Sequence, residues 1–322
     1  MMQMKDHLKL LPLLAAGLLA GCSADEAADG IDTSQDKIRL TVSNDWQYGN
    51  ITRAATVYDD VSFPNAFRVS AFVTGAWTKY IDGALVNKSG DDWVFDGFQK
   101  YYWPMTEALN FFAYMPASAD AGGCVVDASA VSCTQAEGPK FTVTLPATSE
   151  GQDGKAEWIY AYEQGKTKAN DKDGVKLNFK HPLSTILFRL SKLHEGMKIE
   201  TITLKDVKTK GTFTHTASPQ WSEQTNATDF VVTVGSRFDL PESEFPKLIG
   251  GPYFGVPQEF AGGKQKVVVA FDDNGYKDTM EAEVDIPRWE SGFRYVYDLS
   301  ISTYFRVTLV TIELNPWKKY EW

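Results

Sequence analysis

Between residues 38 and 314 this chain carries run after run in which apolar positions recur at every second residue, and no stretch sustains a long helical period. A period of two puts alternate side chains on opposite faces of an extended backbone, so a chain written this way folds into sheets. The first run sets the pattern: Ile38, Leu40 and Val42 alternate with Arg39, Thr41 and Ser43. A polar loop, residues 44–52, leads to Arg53-Ala54-Ala55, a bond suited to a trypsin-like protease. An early strand on a cuttable loop is a removable strand. Its loss would leave a sheet with an unpaired edge.

Strand-like runs resume at 67–73, 81–86, 93–95, 109–114, 141–145 and 158–162. Pro104 and Pro116 cannot donate to a ladder, so the runs before them stop there or lie at edges. Residues 165–174 are rich in Lys, Asn and Asp and have no apolar period; they mark a domain boundary. Asp171-Lys172-Asp173-Gly174 looks like part of a calcium loop, but Ala169 stands where the first ligand belongs, and a turn is the expectation. Strands are expected again at 175–179, 185–190, 199–204, 211–216, 230–234, 264–271, 276–286, 294–301 and 304–314. Asn274-Gly275 between two alternating runs is a hairpin signal, because both turn residues take positive φ. In the last run Phe305, Val307 and Leu309 share one parity while Ile312 and Leu314 take the other, so Val310-Thr311 marks a bulge or a change of sheet. At 322 residues the chain is long enough for two domains, and two tandem all-β sandwiches are expected, over 37–165 and 175–322.

The first 22 residues read as an export signal: Lys5 and Lys9, then an apolar run over 10–19 too short to span a bilayer. Leu19-Ala20-Gly21-Cys22 is similar to a bacterial lipobox, whose Cys is acylated and becomes the new N-terminus; the alternative is an ordinary signal peptide with an incidental Cys. Lipidation at Cys22 would anchor the precursor stably in the outer membrane. Residues 23–36 are small, polar and acidic and read as a flexible tether. Asp25-Glu26 within it is similar to the surface-export signal of lipoproteins in Bacteroidia. Cys124 and Cys133 remain as an even pair in an oxidising compartment, and a disulfide is expected between them. A metal site there has no nearby His to complete it.

Little points to catalysis. The net charge is -10 and Lys and Arg are scattered, which argues against nucleic acid as a partner. No nucleophile elbow, no paired-His zinc helix and no phosphate loop is present. His181, His194 and His215 are far apart in sequence, and packed or turn-capping roles are expected for them. No enzyme activity, cofactor or metal is therefore expected. Trp93, Phe95, Phe98, Tyr101, Tyr102 and Trp103 fit core strands; the alternative is a sugar-stacking platform on a surface lipoprotein that binds glycans.

The motifs fall in a telling order. A lipobox and a first strand precede Thr52-Arg53-Ala54. Tyr102-Trp103-Pro104 precedes Ala113-Tyr114-Met115-Pro116. Phe179-Lys180-His181-Pro182-Leu183-Ser184 opens the second half, Gly292-Phe293-Arg294-Tyr295-Val296-Tyr297 comes near the end, and Pro316-Trp317 follows. Together they resemble the fimbrillin-like family of type V pilus subunits from Bacteroidia, over essentially the whole chain. The resemblance implies two transthyretin-like Greek-key sandwiches exported as a lipoprotein. It implies cleavage after Arg53 by an Arg- or Lys-specific surface protease, with Ala54 as the new N-terminus and the strand of Ile38, Leu40 and Val42 lost. It also implies that the C-terminal strand of another pilin subunit, with Phe305, Val307, Leu309, Ile312 and Leu314, fills the vacancy. The mature form is then expected in a fimbrium at the cell surface, with adhesion as a further role and its ligand unspecified.

Overall fold

The structure, a computed structural model, describes residues 37–43, 64–117, 124–126, 131–193, 196–237, 246–301 and 307–316; for residues 98, 192, 235–237 and 307–316 it describes the backbone alone. The protein is all-β. The first strands are β1 (Leu40–Ser43), β2 (Ala66–Val73), β3 (Lys79–Ser89), β4 (Asp92–Phe95), β5 (Leu109–Met115), β6 (Ser132–Thr134), β7 (Gly138–Thr144), β8 (Ile159–Lys166) and β9 (Val175–Asn178). The later ones are β10 (Ser184–Lys192), β11 (Met197–His215), β12 (Pro219–Arg237), β13 (Lys247–Gly255), β14 (Lys264–Asp273), β15 (Tyr276–Asp285), β16 (Phe293–Ile301) and β17 (Val307–Pro316). A one-turn helix, α1, spans Ser149–Gln152 and is capped by the Thr148 hydroxyl, which accepts from Gly151 N–H at 3.2 Å.

Three sheets result. A seven-stranded sheet runs β8-β5-β2-β3-β4-β1-β9, a four-stranded sheet runs β13-β10-β16-β17, and a six-stranded sheet runs β15-β14-β11-β7-β6 with β12 also paired to β11. The alternation does what it predicts: in β2, Phe67, Val69 and Ala71 are completely buried while Arg68 and Ser70 are half-buried on the other face. The Asn274-Gly275 turn joins β14 to β15 with φ of 50° and 95°, as the hairpin requires.

Some expectations change. The runs at 199–204 and 211–216 are one strand, β11, which bends at a register shift between Leu204 and Val207, where Asp206 takes φ 56°. Strand β13 went unrecognised because Gly250-Gly251-Pro252 interrupts its pattern. Gly251 has φ +99°, and a Cβ there would meet the Ile186 carbonyl oxygen at 2.6 Å. Strand β9 joins the seven-stranded sheet beside β1, while β7 pairs with β11.

Three apolar cores form. One is drawn from residues between Ile38 and Phe179, including Phe67, Phe111 and Ile159. A second lies between Ile186 and Ile301, including Phe188, Tyr297 and Leu299. The third takes side chains from both stretches, among them Phe141, Trp158, Phe213 and Phe254.

Two buried glutamines finish the sheets. Gln152 bonds both backbone groups of Phe254 on β13: the Phe254 N–H donates to Oε1 at 2.7 Å, and Nε2 donates to the carbonyl at 3.1 Å. Gln258 does the same for Lys208 of β11, accepting from its N–H at 2.8 Å and donating to its carbonyl at 3.0 Å. Each side chain takes the place of a neighbouring strand where none runs, and so satisfies polar groups that would be costly to bury unpaired.

Candidate functional site

The removable strand of the sequence reading is β1, and it is an interior strand. It pairs antiparallel with β4, Leu40 opposite Trp93, and parallel with β9 from Leu40–Val175 to Ser43–Asn178. Just before it, Ile38 N–H donates to the Tyr101 carbonyl at 2.8 Å, and Val175 N–H donates to the Arg39 carbonyl at 2.8 Å. Ile38 and Leu40 are each 4% exposed and lie in the first core; Val42 is half-buried against it. Their burial contributes about 4–6 kcal/mol, at roughly 2 for each fully buried chain. Gly174 approaches β1 so closely that a Cβ there would meet Thr41 Cγ2 at 3.0 Å. Take β1 away and the partner groups of β4 and β9 face a gap one strand wide, floored by Phe67, Trp93 and Phe179 of the same core.

The expected donor strand is docked at home. β17 lies at the end of the four-stranded sheet, antiparallel to β16, with Leu314 opposite Tyr295, Ile312 opposite Tyr297, Leu309 opposite Leu299 and Val307 opposite Ile301. The register shifts between Tyr297 and Leu299, so Val310 and Thr311 form the bulge at the phase break. All four β16 partners belong to the second core, so the bulge brings both parities of the run opposite the same buried row. Phe305, the processing bond Arg53-Ala54 and the lipidation residue Cys22 lie outside the described residues.

Other candidates resolve differently. The disulfide between Cys124 and Cys133 is not formed; both are free thiols. Cys124 is buried in the third core, its Sγ 3.6 Å from the Glu157 carbonyl, and burial pushes its thiol up to about 11. Burial likewise pushes Cys133 up to about 12, so both stay protonated and unreactive at neutral pH. Sequence spacing showed an even pair in a small loop but not that Cys124 points into the core. His181 Nδ1 lies 2.6 Å from Glu157 Oε1, both buried, at the turn that joins β9 to β10. His215 Nδ1 hydrogen-bonds Tyr160 Oη at 2.8 Å; burial, with Lys180 adding repulsion, pushes this imidazole down to about 4. His194 lies outside the described residues. Among the described residues no group of three or more His, Cys, Asp or Glu is placed to hold a metal ion. Past the end of β8, residues 167–174 form turns, in which Asp171 accepts from the Thr167 N–H at 3.0 Å.

The aromatic group is mostly structural. Trp93 packs on Phe67 with ring centroids 5.1 Å apart, Phe95 on Tyr101 at 4.7 Å and Trp103 on Phe111 at 6.1 Å. Tyr102 is exposed beside Tyr80, also exposed, whose hydroxyl donates to the Tyr102 carbonyl at 2.7 Å; the Phe98 side chain lies outside the described residues.

The family profile described as Fimbrillin-like matches residues 52–317. No curated protein matches the chain. Among solved structures, a fimbrial protein from Bacteroides vulgatus is similar at 15% identity with TM-score 0.60, over 88% of this chain and 99% of that one. Candidate cell adhesion proteins from Bacteroides ovatus (14% identity, TM-score 0.55, 87% of this chain and 97% of that one) and Bacteroides uniformis (15%, 0.53, 87% and 98%) share the fold as well.

Proposed function

The chain belongs to the fimbrillin-like family, and from that premise we propose that it is a stalk or tip subunit of a type V pilus, a structural protein with no catalysis. It is exported as a lipoprotein acylated at Cys22 and is cut after Arg53 by an Arg- or Lys-specific surface protease. It polymerises when the C-terminal strand of another subunit takes the place of β1. Its two sandwiches are drawn mainly from 37–165 and 175–322, with β9 paired in the sheet of the first stretch and β7 in a sheet of the second.

The observation that carries this reading is the position of β1. It is joined to the rest of the described chain only through residues 44–63, yet it is paired on both sides and, with Ile38 just before it, sinks two side chains, Ile38 and Leu40, into a core. Losing it exposes apolar surface and unpaired backbone at once, and a strand from a second copy restores both. The gross gain of a strand burying four or five apolar side chains is about 8–12 kcal/mol. Ordering the strand takes part of it back. Because donor and acceptor lie on different parts of the subunit, the contact is head-to-tail and builds a filament rather than a closed dimer.

N-terminal sequencing of protein sheared from cells tests the proposal. A mature chain that begins at Ala54 in a polymer supports it; a monomeric mature chain still acylated at Cys22 overturns it.

A further inference from the structure

Among the described residues five large apolar side chains are exposed: Tyr80, Val94, Tyr102, Met105 and Tyr276. Tyr276 stands apart at the start of β15, whereas the other four lie on elements that border β1. Val94 is on β4, the strand next to β1, and Tyr102 forms an antiparallel bridge with Lys37, just before β1. Met105 follows three residues later and is 99% exposed. Tyr80, on β3, donates its hydroxyl to the Tyr102 carbonyl at 2.7 Å. Apolar side chains scattered singly over a surface mean little, but a group gathered at one margin marks a contact.

The backbone there is ready to pair further. Ile38 N–H donates to the Tyr101 carbonyl, so Ile38 and Tyr101 are a hydrogen-bonded pair, and Lys37 with Tyr102 is the non-bonded pair that follows. At such a position the Tyr102 carbonyl points away from β1, and the Tyr80 hydroxyl braces it. The alternation then puts Trp103 at a bonded position, Pro104 at a non-bonded one and Met105 at a bonded one. The missing N–H of Pro104 falls where a ladder does not call for it. Tyr101 to Met105 thus form a lip that continues the track of β1 until the chain bends at Met105.

We infer that this lip is a second seat for the strand given by another copy of this chain, an inference that rests on the strand exchange proposed above. The described track of β1 runs from Lys37 to Ser43, seven residues, whereas β17 has ten. The Ser43 end is closed. Phe179 N–H donates to the Ser43 carbonyl, and next along, both backbone groups of Lys180 are taken by Tyr160, at 2.7 and 3.2 Å. A ten-residue strand seated against that stop extends three residues past Lys37. In the antiparallel register of Lys37 with Tyr102, the third of them lies opposite Met105. This holds whichever way the donor runs. One end of β17 then rests on Tyr102 and Met105, and a donor of seven residues leaves Met105 in water. The lip selects for strand length where the core selects for side chains.

The test places p-benzoylphenylalanine at Met105 in the full-length chain, which is cut by a trypsin-like protease, polymerised and irradiated. Peptide mass spectrometry should find crosslinks to residues 307–309 or 314–316 of a second copy. Polymers that crosslink elsewhere, or not at all, overturn the inference and leave strand exchange standing. Failure of the wild-type chain to polymerise after the cut overturns both. A second readout needs no probe. Met105→Asp should raise the concentration of free subunit left beside polymers about tenfold. The urea midpoint of the uncut chain, in which Met105 is already in water, should not move. An unaltered free-subunit concentration overturns the inference as well.

Discussion

Strands β1 and β17 hold their places by opposite means. β1 has four residues and two neighbours; β17 has ten residues and one described sheet neighbour, β16. The short strand is wedged, with Ile38 and Leu40 sunk in a core, and leaves only if the chain is cut or the sheet opens. The long strand is laid along an edge, hydrogen-bonded to a described strand on one side only, although its backbone also passes near β15. In a chain proposed to trade strands, the one to be discarded is thus locked until cleavage, and the one to be given is placed where release is easiest. Edge position governs exchange more than the number of paired residues does.

Experiment can separate the roles of the two strands. The largest effect is expected from Arg53→Ala: if β1 is locked until cleavage, trypsin-like treatment that polymerises the wild type should leave this variant monomeric by size-exclusion chromatography. Normal polymers from it would break the comparison outright. Next comes truncation after Thr303, which removes β17. The variant should accept a strand but give none, so it should stop growing filaments when mixed with wild type, and electron microscopy of the mixture should show short polymers. Undiminished filament length would count against β17 as donor. A smaller effect is expected from Leu40→Ala, which leaves a cavity in the first core and should cost the uncut chain about 2–4 kcal/mol in urea unfolding. The chain starting at Ala54 should be indifferent to it, because the altered residue is gone; equal destabilisation of both forms is impossible if β1 departs.

Acid gives a milder test that should not distinguish the two strands, because it acts on the core shared by both halves. His215 is held down to about 4 from 6.5 in the folded chain, so between those values the unfolded chain binds the extra proton and stability falls as pH falls. Its contribution is fully present above pH 6.5 and is lost toward pH 4. Urea midpoints measured across that window should decline, and His215→Gln should flatten the decline attributable to this group. The smallest effect is expected from Lys266→Ala on the solvent face of β14. It removes an exposed ion pair with Glu281, worth a few tenths of a kcal/mol, and should leave the thermal midpoint within about a degree of wild type.

Much of the fold was legible because period two survives wherever a sheet has one dry face. β2 and β14 fall close to their expected runs for that reason, whereas β5 and β16, buried on both faces, stand out as nearly continuous apolar runs. What alternation does not carry is partnership. Leu40 pairs with Val175, a contact across most of the first half of the chain, and nothing local in either run specifies it. The same holds for β7 beside β11. Strand β13 was hidden by two glycines and a proline that break the pattern where its backbone passes close to Ile186. At the candidate site, the alternation of Ile38, Leu40 and Val42 announced a strand, and the phase break announced the bulge at Val310-Thr311, but whether β1 lay at an edge or inside a sheet was not written in either. The cysteine pair misled because spacing reports loop length and not side-chain direction.

Gln152 and Gln258 have a bearing on specificity. A subunit proposed to complete itself with another molecule's backbone would be at risk from any extended peptide that finds a raw sheet margin. Gln152 and Gln258 plug such margins at Phe254 and Lys208 with covalently attached amides that no stray peptide can displace without leaving a buried group thirsty. Selectivity of assembly would then come less from a well-shaped welcome at one berth than from the closing of other berths along the hull.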